Sequence, residues 1–426
     1  MHAAEAPATG TVSSEAWAAA IYKACGARKG EVKSTCYEGE LLSLLGAEGV
    51  GTAMAVLDQL GRHDGDVQHL GHVFAHGIGI AAYTSREEVG SVFAQCTPVH
   101  QSGCYHGVIQ AYFSDLTASS PHPRVTAEET NQLCGDYRDA GASRWLLFQC
   151  AHGMGHGLVA LHDRDLPRAL EGCDLLNDSW EREGCYGGAF MENLVHATMP
   201  HHGPSTGAHG AAHETANSES AAAHAAHVDH GHEHAEHHHA EAVAERTPFR
   251  ALDPADPHHP CSAIGARYQN ACYTMQTSAV LFYSNGNVAA GVELCETAPT
   301  DVQHTCYGSL GRDISAYTNG RPSGAIEKCA LAPEPHRPWG YVGFAKHRVD
   351  LTADAADGLA FCRQVPKAQS RVRCFEAVGE QIEILEFELP RREALCHGLD
   401  ERDAQACRRG AGLPEASAAS RPTTTR

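Results

Sequence analysis

Histidine is the residue type with the most chemistry to offer in this chain, at 30 of 426 positions. Three histidines, His76, His106 and His152, stand third in a recurring four-residue motif: Phe74-Ala75-His76-Gly77, Cys104-Tyr105-His106-Gly107 and Cys150-Ala151-His152-Gly153. If the motif marks equivalent places in neighbouring helical units, the three imidazoles stack in register about 10 Å apart at the backbone and can turn toward one point. His72 lies four residues before His76, His69 seven before it, and His156 four after His152, so each shares a helical face with its partner. A cluster dominated by imidazole favours Zn, Cu, Fe or Ni over Mg or Ca. The predicted ligands are His72, His76, His106, His152 and His156. Glu192 and Gln110 are placed to complete the set, with Glu192 the possible acid or base.

A second histidine environment has a different character. Between residues 197 and 248 the chain is rich in Ala, Gly, Ser, Glu and His, and it contains the run His230, His232, His234, His237, His238 and His239. Such a composition cannot build a core and predicts a disordered loop. Its imidazoles are expected to act as weak, exchangeable metal donors that gather ions near a tighter site.

The elements that must position the first cluster are legible in the cysteines. Sixteen of the seventeen cysteines fall into pairs at nearly constant spacing: Cys25/Cys36, Cys96/Cys104, Cys134/Cys150, Cys173/Cys185, Cys261/Cys272, Cys295/Cys306, Cys362/Cys374 and Cys396/Cys407. The second members at 272, 306 and 374 step by 34 residues once Gly340 fills the missing beat, in Gly340-Tyr341-Val342-Gly343, and Cys329 is left over. Apolar-periodic segments end at the first Cys of a pair, and a second such segment opens around the second Cys. The expected fold is all-α, an α-solenoid of about ten αα-hairpins of about 34 residues, most stapled by a disulfide within the repeat. Each staple closes a loop of about 12 residues and contributes about 2–3 kcal/mol, which compensates for short helices. The period equals that of tetratricopeptide repeats without their Trp, Leu-Gly, Tyr pattern. Cys96 and Cys104, eight apart and followed by Tyr-His-Gly, are loosely similar to disulfide-stapled Sel1-like repeats; the likeness covers that one spacing.

The expected organisation is a disordered N-terminus over 1–15, a helical-repeat half with the metal site over 16–196, the His-rich loop over 197–248, a second helical-repeat half over 249–412 and a disordered tail over 413–426. Cys329 is expected to be a free, buried thiol. Acidic residues outnumber basic ones by 52 to 32, a formal charge of −20 that repels phosphate backbones and argues against nucleic acid as a partner. No run of about 18 apolar residues stands out, so no transmembrane segment is expected. The opening MHAAEAPATG lacks the basic and apolar regions of a signal peptide. So many paired cysteines nevertheless suit a periplasmic or secreted chain whose leader has been removed. There is no C-x-x-C, C-x-x-C-H or H-E-x-x-H, which sets aside thioredoxin-like chemistry, covalent haem and one class of zinc peptidase.

These residues predict an exported, disulfide-rich helical-repeat protein that binds a transition metal through histidines of repeats two to four, its partners being metal ions. Two alternatives use the same residues. One is a metal-dependent hydrolase or oxidase. The other is a scaffold that offers its solenoid surface to a protein partner and whose histidines are structural.

Overall fold

The computed structural model describes residues 12–119, 125–139, 144–198 and 249–414, which belong to one unit. These residues form twenty helices and no strand. In the first stretch they are α1 (Ser14–Cys25), α2 (Gly30–His63), α3 (Gly65–Ala82), α4 (Val89–Phe93), α5 (Gly103–Ser119), α6 (Ala127–Leu133), α7 (Gly135–Asp139), α8 (Arg144–Leu161), α9 (Leu166–Cys173) and α10 (Ser179–Thr198). The second stretch holds α11 (Ala266–Tyr273), α12 (Gln276–Tyr283), α13 (Val288–Thr297), α14 (Gln303–Tyr317), α15 (Pro322–Cys329), α16 (Arg337–Thr352), α17 (Ala355–Cys362), α18 (Ala368–Leu385), α19 (Leu389–Cys396) and α20 (Glu401–Gly410).

Local chemistry explains many of these boundaries. The side chains of Ser13, Asp64, Asn287 and Asp354 each accept from a backbone N–H in the first turn of α1, α3, α13 and α17, and Thr126 with Glu129 forms a capping box on α6. Five short helices, α1, α9, α15, α17 and α19, stop at the first cysteine of a motif. Eight disulfides join the sixteen paired cysteines in the expected partnership: Cys25–Cys36, Cys96–Cys104, Cys134–Cys150, Cys173–Cys185, Cys261–Cys272, Cys295–Cys306, Cys362–Cys374 and Cys396–Cys407. Each spans a separation of 8 to 16 residues within its own hairpin. Bridges in this number suit an oxidising, extracellular or periplasmic environment.

The cysteines do not all sit on their helices as expected. The second members do not mark where a helix opens: Cys36, Cys150, Cys185, Cys374 and Cys407 each lie at the seventh residue of α2, α8, α10, α18 and α20, and Cys306 at the fourth of α14. Cys272 stands near the end of α11, whose partner Cys261 lies in turns before that helix, and Cys295 comes two residues before α13 ends. Only Cys104 falls in the opening turn, at the second residue of α5. The reason is the reach of the bridge. Its two Cα atoms lie 5.4 to 5.9 Å apart, so the second cysteine must be at the level where its helix passes the first, and the helix can begin well before that crossing.

Three expected boundaries move. Residues 14 and 15 open α1 instead of belonging to a disordered terminus, because Ser13 caps that helix. Helix α10 runs on to Thr198, inside the segment expected as a loop, and residues 413 and 414 are also described. The expectation of no membrane-crossing segment also needs qualifying. Among the described residues α2 is long and apolar enough to cross a membrane by length and composition. Yet Gly49 interrupts it with φ 82°, a left-handed conformation suited to glycine, and Leu41, Leu44, Val50, Met54 and Leu57 are buried in the protein core.

The longer helices pack in sequence, α2 on α3, α3 on α5, α5 on α8 and α8 on α10, then α14 on α16, α16 on α18 and α18 on α20. Alternate pairs meet backbone to backbone. Between α3 and α5 a Cβ on Gly107 would overlap the His76 carbonyl, and one on Gly79 would overlap that of Cys104. The same reciprocal contact recurs between α8 and α10 (Gly188 on His152, Gly155 on Cys185), between α14 and α16 (Gly343 on Gly308, Gly311 on Gly340) and between α18 and α20 (Gly410 on Glu376, Gly379 on Cys407). Only glycine permits this approach, which also suits Cα–H···O contacts. The intervening pair α5 and α8 is held apart by side chains, with Gly153 against Ile109 and Gly157 against Phe113.

Cys329 is the one free thiol among the described residues; it is buried, and burial pushes its pKa up to about 12, which makes it inert. Gly340 stands where its partner would be, since a Cβ there would lie 3.5 Å from the Cys329 Cβ and 3.1 Å from its Sγ. That separation is at the near edge of the disulfide range of about 3.5–4.5 Å between Cβ atoms. Gly340→Cys is therefore expected to form a ninth bridge, leaving no thiol titratable under denaturing conditions and adding about 2 kcal/mol in chemical denaturation. The contact glycines give an opposite pair of outcomes. Gly107→Ala or Gly155→Ala should lower stability by about 1–3 kcal/mol. Gly46→Ala, in α2 with nothing within 4 Å of the new methyl, should raise it by up to about 1 kcal/mol in the same measurement.

Candidate metal centre

Three neighbouring helices bring histidines to one place, and a fourth adds a carboxylate. Helix α3 supplies His72 and His76, α5 supplies His106 and Gln110, α8 supplies Gln149, His152 and His156, and α10 supplies Glu192. His106, His156 and Glu192 are buried, and His72 and His76 are half-buried with Nε2 inside. The rings form one cluster, with centroids 4.6 Å apart for His106 and His152, 5.1 Å for His76 and His156, 5.3 Å for His106 and His156 and 5.4 Å for His72 and His106.

Within it two groups have ligand-type atoms all within 4.8 Å of one another: His72 with His106 and His156, and His76 with His156 and Glu192. The first group has a consistent hydrogen-bond pattern. His72 Nδ1 donates to the His100 carbonyl at 3.2 Å, His106 Nε2 to Gln149 Oε1 at 2.8 Å, and His156 Nδ1 to Glu192 Oε2 at 2.9 Å. All three acceptors are oxygens that cannot donate in these contacts, so each fixes the proton on the nitrogen it touches. The other nitrogens, His72 Nε2, His106 Nδ1 and His156 Nε2, carry lone pairs and have no hydrogen-bond partner although buried. Gln110 Nε2 donates to Glu192 Oε1 at 3.1 Å and holds that carboxylate in place.

The carbonyl that orients His72 sits on an unusual turn. His100, Gln101 and Ser102 take φ of 54°, 54° and 61° in succession, a left-handed run of non-glycine residues that costs about 1–2 kcal/mol per residue. The run falls inside the shortest disulfide loop, Cys96–Cys104, and is held by Ser102 N–H to the Pro98 carbonyl and His100 N–H to the Leu351 carbonyl.

Burial keeps these imidazoles neutral. His72 is lowered to about 4 by burial and then by neighbouring His156, and His156 to about 3 by burial. His106 and His152 lie well below the usual imidazole value, first through burial and then through the surrounding rings. Neutral imidazoles aimed at a common point are in the form that binds metal.

The register argument and the structure select different members. His106 belongs to the first group, His76 to the second, and His152 to neither; its ring lies against His106 and Phe148, and Gly187 leaves it room. His72 and His156, the expected ligands one helical turn from the motif position, form the first group with His106. In the paired helices the third motif position lies at the backbone contact, where the His76 and His152 carbonyls meet Gly107 and Gly188. Sequence reasoning missed His100 and Gln149. Gln149 could have been found, since it lies three residues before His152 and seven before His156 on the same face. The His100 carbonyl had no such mark beyond the short cysteine spacing. His230, His232, His234, His237, His238 and His239 lie outside the described residues.

No family model, curated protein or solved structure matches this chain.

The depressed histidines set a pH dependence for the metal-free protein. Their folded pKa lies below the unfolded value of about 6.5, so between the two the unfolded chain binds more protons and folding stability rises with pH. Stability should be full above about pH 6.5 and fall on acidification toward pH 4, by about 1.4 kcal/mol per pH unit for each histidine involved. Chemical denaturation between pH 4 and 7.5 checks this. His72→Gln and His156→Gln should flatten the slope.

Proposed function

We propose that this is an exported, disulfide-stapled protein that holds one transition-metal ion, of the Zn, Cu, Fe or Ni class, between His72, His106 and His156. One observation carries the reading: all three imidazoles have one nitrogen committed to an oxygen acceptor and the other buried and unpartnered, and the three residues form one group whose ligand-type atoms lie within 4.8 Å of one another. Metal-binding histidines are commonly oriented in this way by a carboxylate, carbonyl or amide on the far nitrogen. An unsatisfied buried polar atom otherwise costs about 1–3 kcal/mol, and three converging on one point call for a common ligand. Glu192 acts here as the orienting acceptor of His156, with His76 beside it as an alternative ligand. The His-rich segment 230–239 gathers ions by number rather than geometry.

We read the architecture as an α-solenoid, in which hairpins of about 34 residues stack with their long helices in sequence. The recurring glycine contacts support this, because the same pair of backbone approaches returns in four helix pairs. A metal-dependent hydrolase or oxidase is the second reading. It is favoured by a set of three protein nitrogens, since catalytic sites keep a position for water or substrate where structural zinc sites close all four.

Elemental analysis of tag-free protein tests the proposal. The full chain and a deletion of residues 201–245 should both retain one ion per chain after dialysis. His72→Ala/His106→Ala/His156→Ala should retain none, His152→Ala should retain it, and Glu192→Gln should weaken binding by about 10–100-fold. Metal that follows only residues 201–245 would sink the specific site.

A further inference from the structure

Beside the metal centre lies a second polar feature built from both stretches of the chain. A cavity of about 50 Å³ is lined by His69, His72 and His100 from the first stretch and by Ser315, Asn319 and His347 from the second. Besides His72 Nε2, three buried polar atoms among these residues have no hydrogen-bond partner: His100 Nε2, Ser315 Oγ and His347 Nδ1, on residues only 7%, 1% and 6% exposed. The cavity's outer residue, His69, is exposed and lies against the Tyr317 ring at 6.3 Å, while its inner residue, His72, is a ligand of the proposed centre. The His100 ring is pressed on Gly71, where no Cβ could fit, and the left-handed turn at 100–102 holds it there.

The contacts between the ligand-bearing helices are tight. The helices that carry the ligands touch backbone to backbone at Gly79, Gly107, Gly155 and Gly188, and side chains fill the space between α5 and α8. An ion cannot pass between helices in such contact. The cavity, by contrast, has room for one or two waters, or for an ion that has kept one water. Its walls supply nitrogen and oxygen donors between the exposed His69 and His72.

We propose that this cavity is the entry port of the metal centre, in which His69, His347 and His100 act as transient ligands that pass a partly dehydrated divalent transition-metal ion inward to His72. The inference rests on the metal-centre reading above. It assigns these three histidines to the rate of loading and not to the final coordination. The donors replace lost hydration one exchange at a time. Because entry and exit share the route, a block slows both and leaves the equilibrium unchanged.

The test is stopped-flow loading of the full tag-free chain with Co²⁺ alone, followed by its bound-state absorbance, together with release to a chelator. His69→Ala alters an exposed residue, so it separates transport from folding; His347→Leu and Ser315→Val alter the cavity wall. The expected result is uptake and release both slowed about tenfold, with stoichiometry of one ion and Kd within about twofold of the parent. Unchanged rates in His69→Ala and His347→Leu would overturn the port. So would a weakened Kd with unchanged uptake, which would make these residues final ligands. A parent chain that binds no Co²⁺ would overturn the centre and the port together, whereas retained binding with unaltered rates removes the port alone.

Discussion

The structure depends on a contact that only glycine allows, in which the Cα of one helix rests on a backbone carbonyl of the next. It is made twice in each of four helix pairs, with a glycine contributed from each side. Helices that meet through leucine or phenylalanine keep their axes about 8–10 Å apart. Where Gly107 meets the His76 carbonyl and Gly188 meets that of His152, the helices come closer, and side chains just beside the contact are drawn toward one another. The histidines occupy that space. A methyl group at one of these positions would press on backbone, which cannot swing aside as a side chain can.

The helices that precede several members of these pairs, α9, α15, α17 and α19, have only eight residues each. Helices so short are unstable alone, because nucleation is costly and few hydrogen bonds follow it. The disulfides offset this locally. Most tie the end of a short helix to a point inside the helix that follows, as Cys25 is tied to Cys36 and Cys362 to Cys374, which limits the unfolded hairpin and fixes where the two helices cross. One hairpin goes without: Cys329 faces Gly340, and the buried pairing of α15 with α16 persists through packing.

The histidine cluster is possible because its charges are absent. Several protonated imidazoles at centroid distances near 5 Å would repel strongly in a low-dielectric interior, and burial holds them neutral instead. Neutrality leaves each ring with one proton to place. His100, Gln149 and Glu192 place it, and they do so on the side facing away from the shared centre. The strained turn at His100 is part of this arrangement, since it aims a backbone carbonyl at His72 and a side chain at the adjoining cavity.

Much of this was legible in the residues alone. Cysteine spacing is a local quantity, and a bridge across about a dozen residues leaves few other partners within reach, so the pairing and the all-helical character followed from the linear order. Where each helix begins did not follow, since Cys36 and Cys374 lie well inside helices they were expected to open and Cys272 lies near the end of one. The recurring motif also identified the helices that carry the histidines, because equivalent positions in consecutive hairpins must lie near one another. Which of the five expected histidines share a ligand-type group was a different matter. His152 shares the motif position of His106 yet lies in neither ligand-type group, while His72 and His156, one turn away, lie in the first. That choice depends on how far each helix rotates about its axis, which the glycine contacts set in three dimensions. Likewise the His100 carbonyl and the placement of His347 beside His72 join residues separated by dozens to hundreds of positions, and only the packing of the second stretch against the first brings them together.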